Sequence, residues 1–372
     1  MQNDVISYFM HLISIDSESK NERAMIDALK KDLQQLGAEV DEDDCGNSTG
    51  GNAGNLYGYI PGNIQKKPIL FCAHVDTVKP GNGIKARIEN DTIYSDGTTI
   101  LGSDDKSGIA EIVMGIKQIK QSGKDHAPIE ILFTVSEEIG LLGAKHFDKS
   151  RLKSAFGYAL DSHNVGELII GAPSQNSFVA TFYGKEAHAG VEPEKGLSAI
   201  RIASEAISAT PLGRIDFETT CNIGKIYGGE ATNVVPNKVV VHGEARSHNH
   251  SKLERICDDI KHAFQSTVER YAEQGGRLEI SCDTEYEAFK VDEYSAVVQV
   301  AAKALKNLDI PAVIKTGGGG SDANIISAGG LPIIITGTGM NKVHTVDENI
   351  KTDQLLKGTA FVNELIRIYS AE

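Results

Sequence analysis

The apolar residues of this chain follow two patterns, and the first of them alternates strands with helices. Short apolar runs at residues 68–73 and 129–135 are bounded by polar segments, which is typical of buried strands. Residues 21–36 and 106–119 instead repeat their apolar side chains at the spacing of an amphipathic helix. Residues 41–55 are rich in Asp, Gly and Asn, so they are predicted to form a loop. This alternation indicates an α/β domain with a largely parallel sheet.

The second pattern occupies residues 177–286, where the strands alternate apolar and polar positions. The segments SFVATFYGK and NKVVVHGEARS alternate in this way, and helical patterns cover residues 197–209 and 252–274. The resulting βαββαβ order predicts a two-layer α+β domain of the ferredoxin-like kind. The first pattern returns afterwards. We therefore predict one α/β domain built from residues 1–176 and 287–372, interrupted by an inserted domain at residues 177–286.

Composition and charge narrow the class of protein further. The chain has 372 residues, which favours two domains, and its formal net charge of -14 disfavours nucleic acids and anionic membranes as partners. No apolar run is long enough to span a bilayer, and the N-terminal stretch lacks the pattern of a signal peptide. The five cysteines are scattered without a CxxC pair, which is typical of reduced thiols. We therefore expect a cytoplasmic protein that contacts neither nucleic acid nor membrane.

A set of histidines and carboxylates stands where predicted strands end or helices begin. Its members are His74, Asp76, Asp104, Glu137, Glu138, Asp161 and His344. In open α/β sheets, side chains beyond the carboxyl ends of the strands converge on one edge, where active sites form. Imidazole and carboxylate groups are ligands for zinc, manganese and cobalt. Each residue alone could be an ordinary turn, helix-start or surface residue, but the combined set favours a site for two divalent cations and a bridging water.

The same segments resemble a known family. The motifs AHVDTV, GSDDKSG, TVSEEIG, YALD, GKEAHAG, TNVVP, GGGGSDA and VHTVDE follow one another in the order found in the di-zinc exopeptidases and amidohydrolases. This family includes peptidase T, glutamate carboxypeptidase, aminoacylase and succinyl-diaminopimelate desuccinylase, and the chain is most similar to its peptidase T-like members. The resemblance covers nearly the whole chain. It implies a zinc-exopeptidase-like α/β/α catalytic domain, with the inserted domain serving as a lid and dimerisation domain.

The resemblance also implies which residues hold two divalent metal ions. The implied ligands are His74 and Asp161 for one zinc ion, Glu138 and His344 for the other, and Asp104 as the bridge between them. The neighbouring Asp105 is the alternative bridging residue. The same ligands accept manganese or cobalt, so the sequence leaves the physiological metal open.

Three further residues receive catalytic roles by the same resemblance. Glu137 would take a proton from the attacking water and return it to the leaving amine. Asp76 lies two residues after His74, so on an extended segment its side chain would face the imidazole and fix its tautomer. His188 would stabilise the oxyanion in the active site of the partner subunit, which implies a homodimer.

The residues expected to bind the substrate lie in the later motifs. They are Asn233, Arg246, Gly318, Gly319 and Ser321. An arginine can hold a carboxylate through two parallel hydrogen bonds, and main-chain amides at a helix start can hold one as well. Arg246 could instead be an exposed strand-end ion pair. The glycine cluster lacks the lysine of a phosphate-binding loop, so a nucleotide site is disfavoured.

These observations predict a metal-dependent exopeptidase that hydrolyses short peptides, by analogy an aminopeptidase acting on dipeptides and tripeptides. One alternative is a deacylase of the same fold that acts on an N-acyl amino acid, because both substrates present an amide and a carboxylate. A second alternative is a non-catalytic dimeric binding protein. This alternative is disfavoured because Glu137 and the expected ligands are all present. The exact substrate and the end of the peptide that is recognised stay open.

Overall fold

The computed structural model describes residues 2–371, and the side chains of residues 4–371. The chain forms two compact units. The first unit comprises Met1–Gly171, Lys290–Gly317 and Ser321–Glu372, and the second comprises Ala172–Phe289 and Gly318–Gly320.

The described residues contain α-helices in both units. In chain order they are α1 (Gln2–Ile13), α2 (Arg23–Gln35), α3 (Cys45–Thr49), α4 (Ser103–Ser122), α5 (Leu142–His146), α6 (Ala199–Ser208), α7 (His250–Glu269), α8 (Ala296–Asn307), α9 (Asp322–Ala328) and α10 (Thr352–Ala371).

The strands of the same part of the chain are numbered in the same way. They are β1 (Glu39–Glu42), β2 (Leu56–Ile60), β3 (Ile69–His74), β4 (Arg87–Glu89), β5 (Thr92–Tyr94), β6 (Ile129–Thr134), β7 (Gly157–Ser162), β8 (Glu167–Ile169), β9 (Gly171–Ala172), β10 (Ser174–Tyr183), β11 (Gly213–Arg214), β12 (Thr219–Gly228), β13 (Lys238–Ser247), β14 (Arg277–Tyr286), β15 (Phe289–Lys290), β16 (Val313–Lys315), β17 (Ile333–Gly337), β18 (Met340–Asn341) and β19 (Asn349–Lys351).

The first unit is built on an eight-stranded sheet with the strand order β1-β2-β6-β3-β7-β17-β8-β16. Every residue of β3, β6 and β17 is buried, which explains why these strands are nearly continuous apolar runs in the sequence. Helices α1, α4 and α10 pack against one another, and α4 also contacts β3 and β7. A smaller four-stranded sheet, β18-β19-β5-β4, completes this unit. The predicted α/β class is confirmed.

The prediction of a largely parallel sheet holds only for its centre. Strands β6, β3, β7 and β17 are parallel, whereas β1, β2 and β8 run antiparallel to neighbours. Residues 61–68 connect β2 to β3, and this connection is shorter than the crossover of a dozen or more residues that parallel strands need. The predicted loop at residues 41–55 also contains the end of β1 and all of α3. The Asp43 carboxylate accepts the main-chain N–H groups of Cys45 and Asn55, which orders the segment.

The second unit is a two-layer α+β domain. Its antiparallel sheet has the order β11-β12-β13-β10-β14, and α6 and α7 pack against it. The predicted βαββαβ order is present, with the two-residue β11 as an addition that is too short to leave a periodic pattern. The predicted helix at residues 252–274 ends at Glu269, and a short 3₁₀ turn, Ala272–Gln274, follows it. Across the described chain, no helix combines the length and apolar character needed to cross a membrane.

The aromatic core of the second unit generates a stability prediction. Phe264 is fully buried, with its ring centroid 5.2 Å from that of Phe182 and 6.3 Å from that of Phe178. Phe264→Ala should lower the free energy of unfolding by about 3–5 kcal/mol, because the cavity left behind cannot be refilled. Equilibrium urea unfolding measures this change.

The matched control is Phe217→Ala, because Phe217 is 83% exposed in the same unit. We expect it to change stability by about 1 kcal/mol or less, because the exposed ring loses only its contact with the Lys252 ammonium, 4.7 Å from the ring centroid. Equal effects of the two substitutions would contradict the proposed packing.

Candidate metal centre

The fold brings the predicted ligands together because three neighbouring strands are parallel. Strand β3 lies between β6 and β7 and is parallel to both, so their carboxyl ends meet at one edge of the sheet. His74 ends β3, Glu137 and Glu138 follow β6, and Asp161 lies near the end of β7.

Asp104 lies between the two histidines. Its Oδ1 is 3.0 Å from Nε2 of His74, and its Oδ2 is 3.2 Å from Nε2 of His344. The same His344 nitrogen is 2.9 Å from Oε1 of Glu138. On the other side, Oδ1 of Asp161 is 3.9 Å from Nε2 of His74. The Asp104 carboxylate thus faces both imidazoles. A second carboxylate lies near each of them, Asp161 near His74 and Glu138 near His344.

Asp105 has a different environment, although it directly follows Asp104 and the peptide bond between them is cis. Its Oδ2 accepts the main-chain N–H of His74 at 3.3 Å. Two groups of three residues could each hold a cation, because within each group one ligand atom per residue lies within 4.8 Å of the other two. One consists of His74, Asp104 and Glu138, and the other of His74, Asp105 and Asp161.

The crowded, buried carboxylates of the cluster favour the binding of cations. Burial, followed by the charge of Asp104, raises the pKa of Asp161 to about 7. Burial also raises the pKa of Glu137 well above its ordinary value, with Asp161 and other carboxylates adding to the effect and His74 opposing it. Hydrogen bonds that the imidazole of His344 donates to Asp104 and then to Glu138 raise the pKa of His344 to about 10. Carboxylates crowded in a buried place must be protonated, be paired or bind cations. The donor set therefore suits divalent metal ions.

Asp76 is fully buried next to His74. The contact with the ring is made by its main-chain carbonyl, which lies 2.9 Å from Nδ1 of His74, whereas the nearer carboxylate oxygen lies 3.6 Å away. The carboxylate accepts the main-chain N–H groups of Glu137 at 2.9 Å and Glu138 at 3.2 Å. It also accepts the hydroxyl of Ser19 at 2.7 Å. Asp76 therefore connects the histidine to the turn that carries both glutamates.

The sequence reasoning missed two residues that hold this turn in place, Glu22 and Ser19. Oε1 of the buried Glu22 accepts the N–H of Ser136 at 3.1 Å and its hydroxyl at 3.0 Å. Ser136 has a positive φ of 55° immediately before Glu137, so Glu22 fixes an unusual backbone conformation at the site. Glu22 and Ser19 occur in a polar segment before α2, which resembles any helix start, and no pattern in the sequence distinguishes them.

Glu348 is the third residue that was missed. Its carboxylate accepts the main-chain N–H groups of Leu101 at 2.8 Å, Gly102 at 2.9 Å and Asp104 at 3.0 Å. It also accepts the hydroxyl of Ser103 at 2.6 Å. Glu348 is four residues after His344, so its carboxylate joins the segment that carries His344 to the segment that carries Asp104. Its place in the VHTVDE motif was the available signal.

Of the remaining predicted residues, Ser321 lies beside Asp161, where its side chain opposes the rise in the pKa of that carboxyl, and the others belong to the second unit. His188 and Asn233 are exposed in the second unit, and their segments are paired, with Ala189 donating its N–H to the carbonyl of Asn233 at 2.9 Å. Ser321 belongs to the first unit and precedes α9, where its N–H donates to Oδ1 of Asn324 at 3.1 Å.

Arg246 and the glycine run Gly318–Gly320 both belong to the second unit. The guanidinium donates from Nε and Nη2 to the two carboxylate oxygens of Glu244, at 2.9 Å and 3.1 Å. A Cβ on Gly319 would lie 3.8 Å from Nη1 of the same arginine. The structure thus places the predicted arginine beside the predicted glycines.

Comparison with known proteins shows the family to which the chain belongs. Residues 70–368 match the family described as Peptidase family M20/M25/M40. The uncharacterized protein YqjE of Bacillus subtilis (strain 168) is 44% identical over 363 residues, which cover 97% of both sequences. Among solved structures, aminopeptidase PepT from Bacillus cereus ATCC 10987 has 42% sequence identity and a TM-score of 0.89. A tripeptidase from Staphylococcus aureus subsp. aureus mu50 has 38% identity and a TM-score of 0.94. Both alignments cover 100% of this chain and 99% of the other.

The chain therefore belongs to peptidase family M20/M25/M40. This membership confirms the resemblance to peptidase T-like proteins and the predicted fold, an α/β domain with a second α+β domain. The protein is accordingly a peptidase-family hydrolase with a candidate metal site formed by His, Asp and Glu.

The contacts of Glu348 generate a prediction. Glu348→Gln replaces one accepting oxygen by an amide that donates, so buried N–H groups at residues 101–104 lose their partner. We expect the free energy of unfolding to fall by about 1–3 kcal/mol. Zinc affinity should fall by about 10- to 100-fold, because the segment carrying Asp104 is no longer fixed. Thermal unfolding and zinc titration calorimetry measure the two effects.

Asp347→Asn is the control, because the neighbouring Asp347 is exposed. It removes the same charge from the same loop and should leave both quantities close to the wild-type values. If the two variants bind zinc equally well, Glu348 does not support the site.

Proposed function

We propose that this protein is a metal-dependent exopeptidase that hydrolyses short peptides, acting as an aminopeptidase on dipeptides and tripeptides. The observation that carries the proposal is the Asp104 carboxylate, which faces His74 with one oxygen and His344 with the other. A carboxylate shared in this way suits a pair of divalent cations. The two similar solved structures are those of an aminopeptidase and a tripeptidase, which supports the substrate class.

Two ligand sets are proposed, with zinc as the expected metal and manganese or cobalt as alternatives. They are His74 and Asp161 for one ion, Glu138 and His344 for the other, and Asp104 shared between them. Such ions polarise a substrate carbonyl and lower the pKa of water. Asp105 is kept as a main-chain acceptor rather than a ligand, because its Oδ2 faces the N–H of His74.

Glu137 is the proposed general base. Its main-chain N–H is held by Asp76, and so is that of the adjacent ligand Glu138, so one carboxylate fixes the backbone of both residues. Glu137 would accept a proton from the attacking water and deliver it to the leaving amine of the peptide. Asp76 acts as a positioning residue for this turn and for the ring of His74.

A homodimer with shared active sites is part of the proposal. In the second unit, β11 pairs with β12 only at Thr220 and Cys221, so the rest of the outer edge of β12 has no described strand partner. Ile226 and Tyr227 on that strand are 50% and 58% exposed. An exposed apolar strand edge favours pairing with a second copy of the chain. The proposed role of His188 is to stabilise the oxyanion in the active site of the partner subunit.

The proposed substrate-binding groups complete the assignment. Arg246 and the main-chain amides of Gly318 and Gly319 would hold a carboxylate of the peptide, and Asn233 and Ser321 would hydrogen-bond its polar main-chain atoms. A Cβ on Gly319 would be in van der Waals contact with Nη1 of Arg246, and this proximity supports a shared role.

The experiment that tests the function combines elemental analysis with peptide hydrolysis before and after chelation. We expect two divalent metals per chain, loss of tripeptide hydrolysis on chelation and recovery with zinc, manganese or cobalt. Metal binding with hydrolysis of N-acyl amino acids alone would instead identify the deacylase. A protein that binds no metal under replete conditions would be the non-catalytic alternative.

The role of Glu137 is tested by substitution. Glu137→Gln should lower kcat by about 10²- to 10⁴-fold while both metals remain bound, because proton transfer is lost without a change of ligands. Glu138→Gln is the matched control, in which the metal content itself should fall. A metal-depleted Glu137→Gln protein would show that Glu137 is a ligand instead.

The shared site is tested by mixing two inactive variants. His188→Ala and Glu137→Gln protomers each lack one component, but a mixed dimer contains one site with both components. After exchange of subunits we expect activity to recover to roughly one quarter of the wild-type value, since half of the dimers are mixed and each has one complete site. No recovery in mixtures proven to contain mixed dimers would place His188 in the site of its own chain.

A further inference from the structure

A chain of hydrogen bonds crosses three strands of the second unit and ends at Arg246. The hydroxyl of Tyr286 donates to Oε1 of Gln175 at 2.6 Å, and Nε2 of Gln175 donates to Oε2 of Glu244 at 2.9 Å. Glu244 accepts Nε and Nη2 of Arg246 at 2.9 Å and 3.1 Å. Gln175 lies opposite Arg246 in the pairing of β10 with β13 and opposite Tyr286 in the pairing of β10 with β14.

Glu244 and Arg246 are two residues apart on β13, so their side chains leave the strand on the same side. The alternate residues Val241 and Ala245 are buried in the core against the helices. The pair therefore lies on the opposite face of the sheet. Both members are partly exposed, with 27% of the Arg246 side chain and 34% of the Glu244 side chain accessible.

The glycine run Gly318–Gly320 contacts both ends of this chain of hydrogen bonds. A Cβ on Gly320 would overlap the ring and hydroxyl of Tyr286, so a larger residue at this position would displace the Tyr286 side chain. Gly319 faces Nη1 of Arg246, the nitrogen that Glu244 does not contact. The two hydrogen bonds to Glu244 thus occupy Nε and Nη2 of the guanidinium. Nη1 is directed toward the main chain of Gly319.

We propose that Glu244 is a positioning residue that orients Arg246 to bind the free terminal carboxylate of a peptide substrate. The inference rests on the proposed function and deepens it, because it names the residue that orients the proposed carboxylate-binding arginine. A free arginine side chain samples many rotamers, and Glu244, held by Gln175 and Tyr286, restricts them before the substrate arrives. Because Glu244 also balances the charge of Arg246, recognition depends on directed hydrogen bonds rather than on net positive charge.

The opposite role for Glu244 is a competitor that blocks Arg246. The two roles predict opposite signs. If Glu244 orients the arginine, its removal weakens the binding of substrates with a free carboxylate. If Glu244 blocks the arginine, its removal strengthens that binding. The sign of the change in KM therefore decides between them.

The experiment compares a tripeptide that has a free carboxyl terminus with the same tripeptide as its terminal amide. For the metal-loaded Glu244→Ala enzyme, we expect KM for the free acid to rise about tenfold, with kcat within about twofold of wild type. The KM of the amide should change much less. Glu244→Gln keeps one accepting oxygen and should show a smaller rise, and Tyr286→Phe should shift KM in the same direction.

Glu273→Ala is the control for the loss of an acidic residue, because Glu273 is exposed in the same unit; it should leave both substrates unchanged. A lower KM for the free acid in Glu244→Ala, or equal changes for acid and amide, would overturn the inference. Tyr286→Phe provides the same test if Glu244→Ala fails to fold. Failure of the proposed function has a different signature, because the wild-type enzyme itself would then hydrolyse neither tripeptide.

Discussion

The buried carboxylate of Glu348 fixes the geometry on which the candidate metal centre depends. It accepts three main-chain N–H groups and one hydroxyl from residues 101–104, across about 245 positions of sequence. Asp104 is the last of those residues, and His344 is only four residues before Glu348. One interaction therefore sets the positions of the Asp104 carboxylate, which faces both histidines, and of His344. Without it, N–H groups at the start of α4 would be left buried and unpaired.

Other buried acidic residues hold distant segments in the same way, two of them near the centre and one, Glu130, near the opposite end of β6. Glu22, Asp76 and Glu130 are buried, and each accepts main-chain N–H groups from a segment distant in sequence. The net charge of -14 is thus only partly a surface property. Some of it consists of internal carboxylates that hold loops in place, while others surround the histidines. Carboxylates thus form both the candidate metal ligands and the contacts that hold those ligands in place.

The sequence was most informative where local pattern and topology coincide. Buried apolar runs marked β3 and β6, and the rule that parallel strands end at one edge predicted that His74, Glu138 and Asp161 would be neighbours. The antiparallel strands β1 and β2 were not predicted, because β1 is short and largely exposed and its neighbours depend on the arrangement of the whole sheet. The contacts of Glu22, Glu244 and Glu348 were also missed. Each joins residues that only the folded chain brings together, and an acidic residue in a polar segment has no periodicity that reveals its partner.

The position of β17 has a consequence for how the chain is made. This strand lies between β7 and β8 in the sheet, yet it follows them in the sequence by more than the length of the second unit. During synthesis on the ribosome, β7 emerges early and keeps an open, apolar edge until most of the chain has been translated. The second unit is formed mainly by one continuous stretch, Ala172–Phe289, so it can acquire its sheet in the meantime. The first unit is therefore the part that completes its fold last and depends most on protection from aggregation while its central strand is missing.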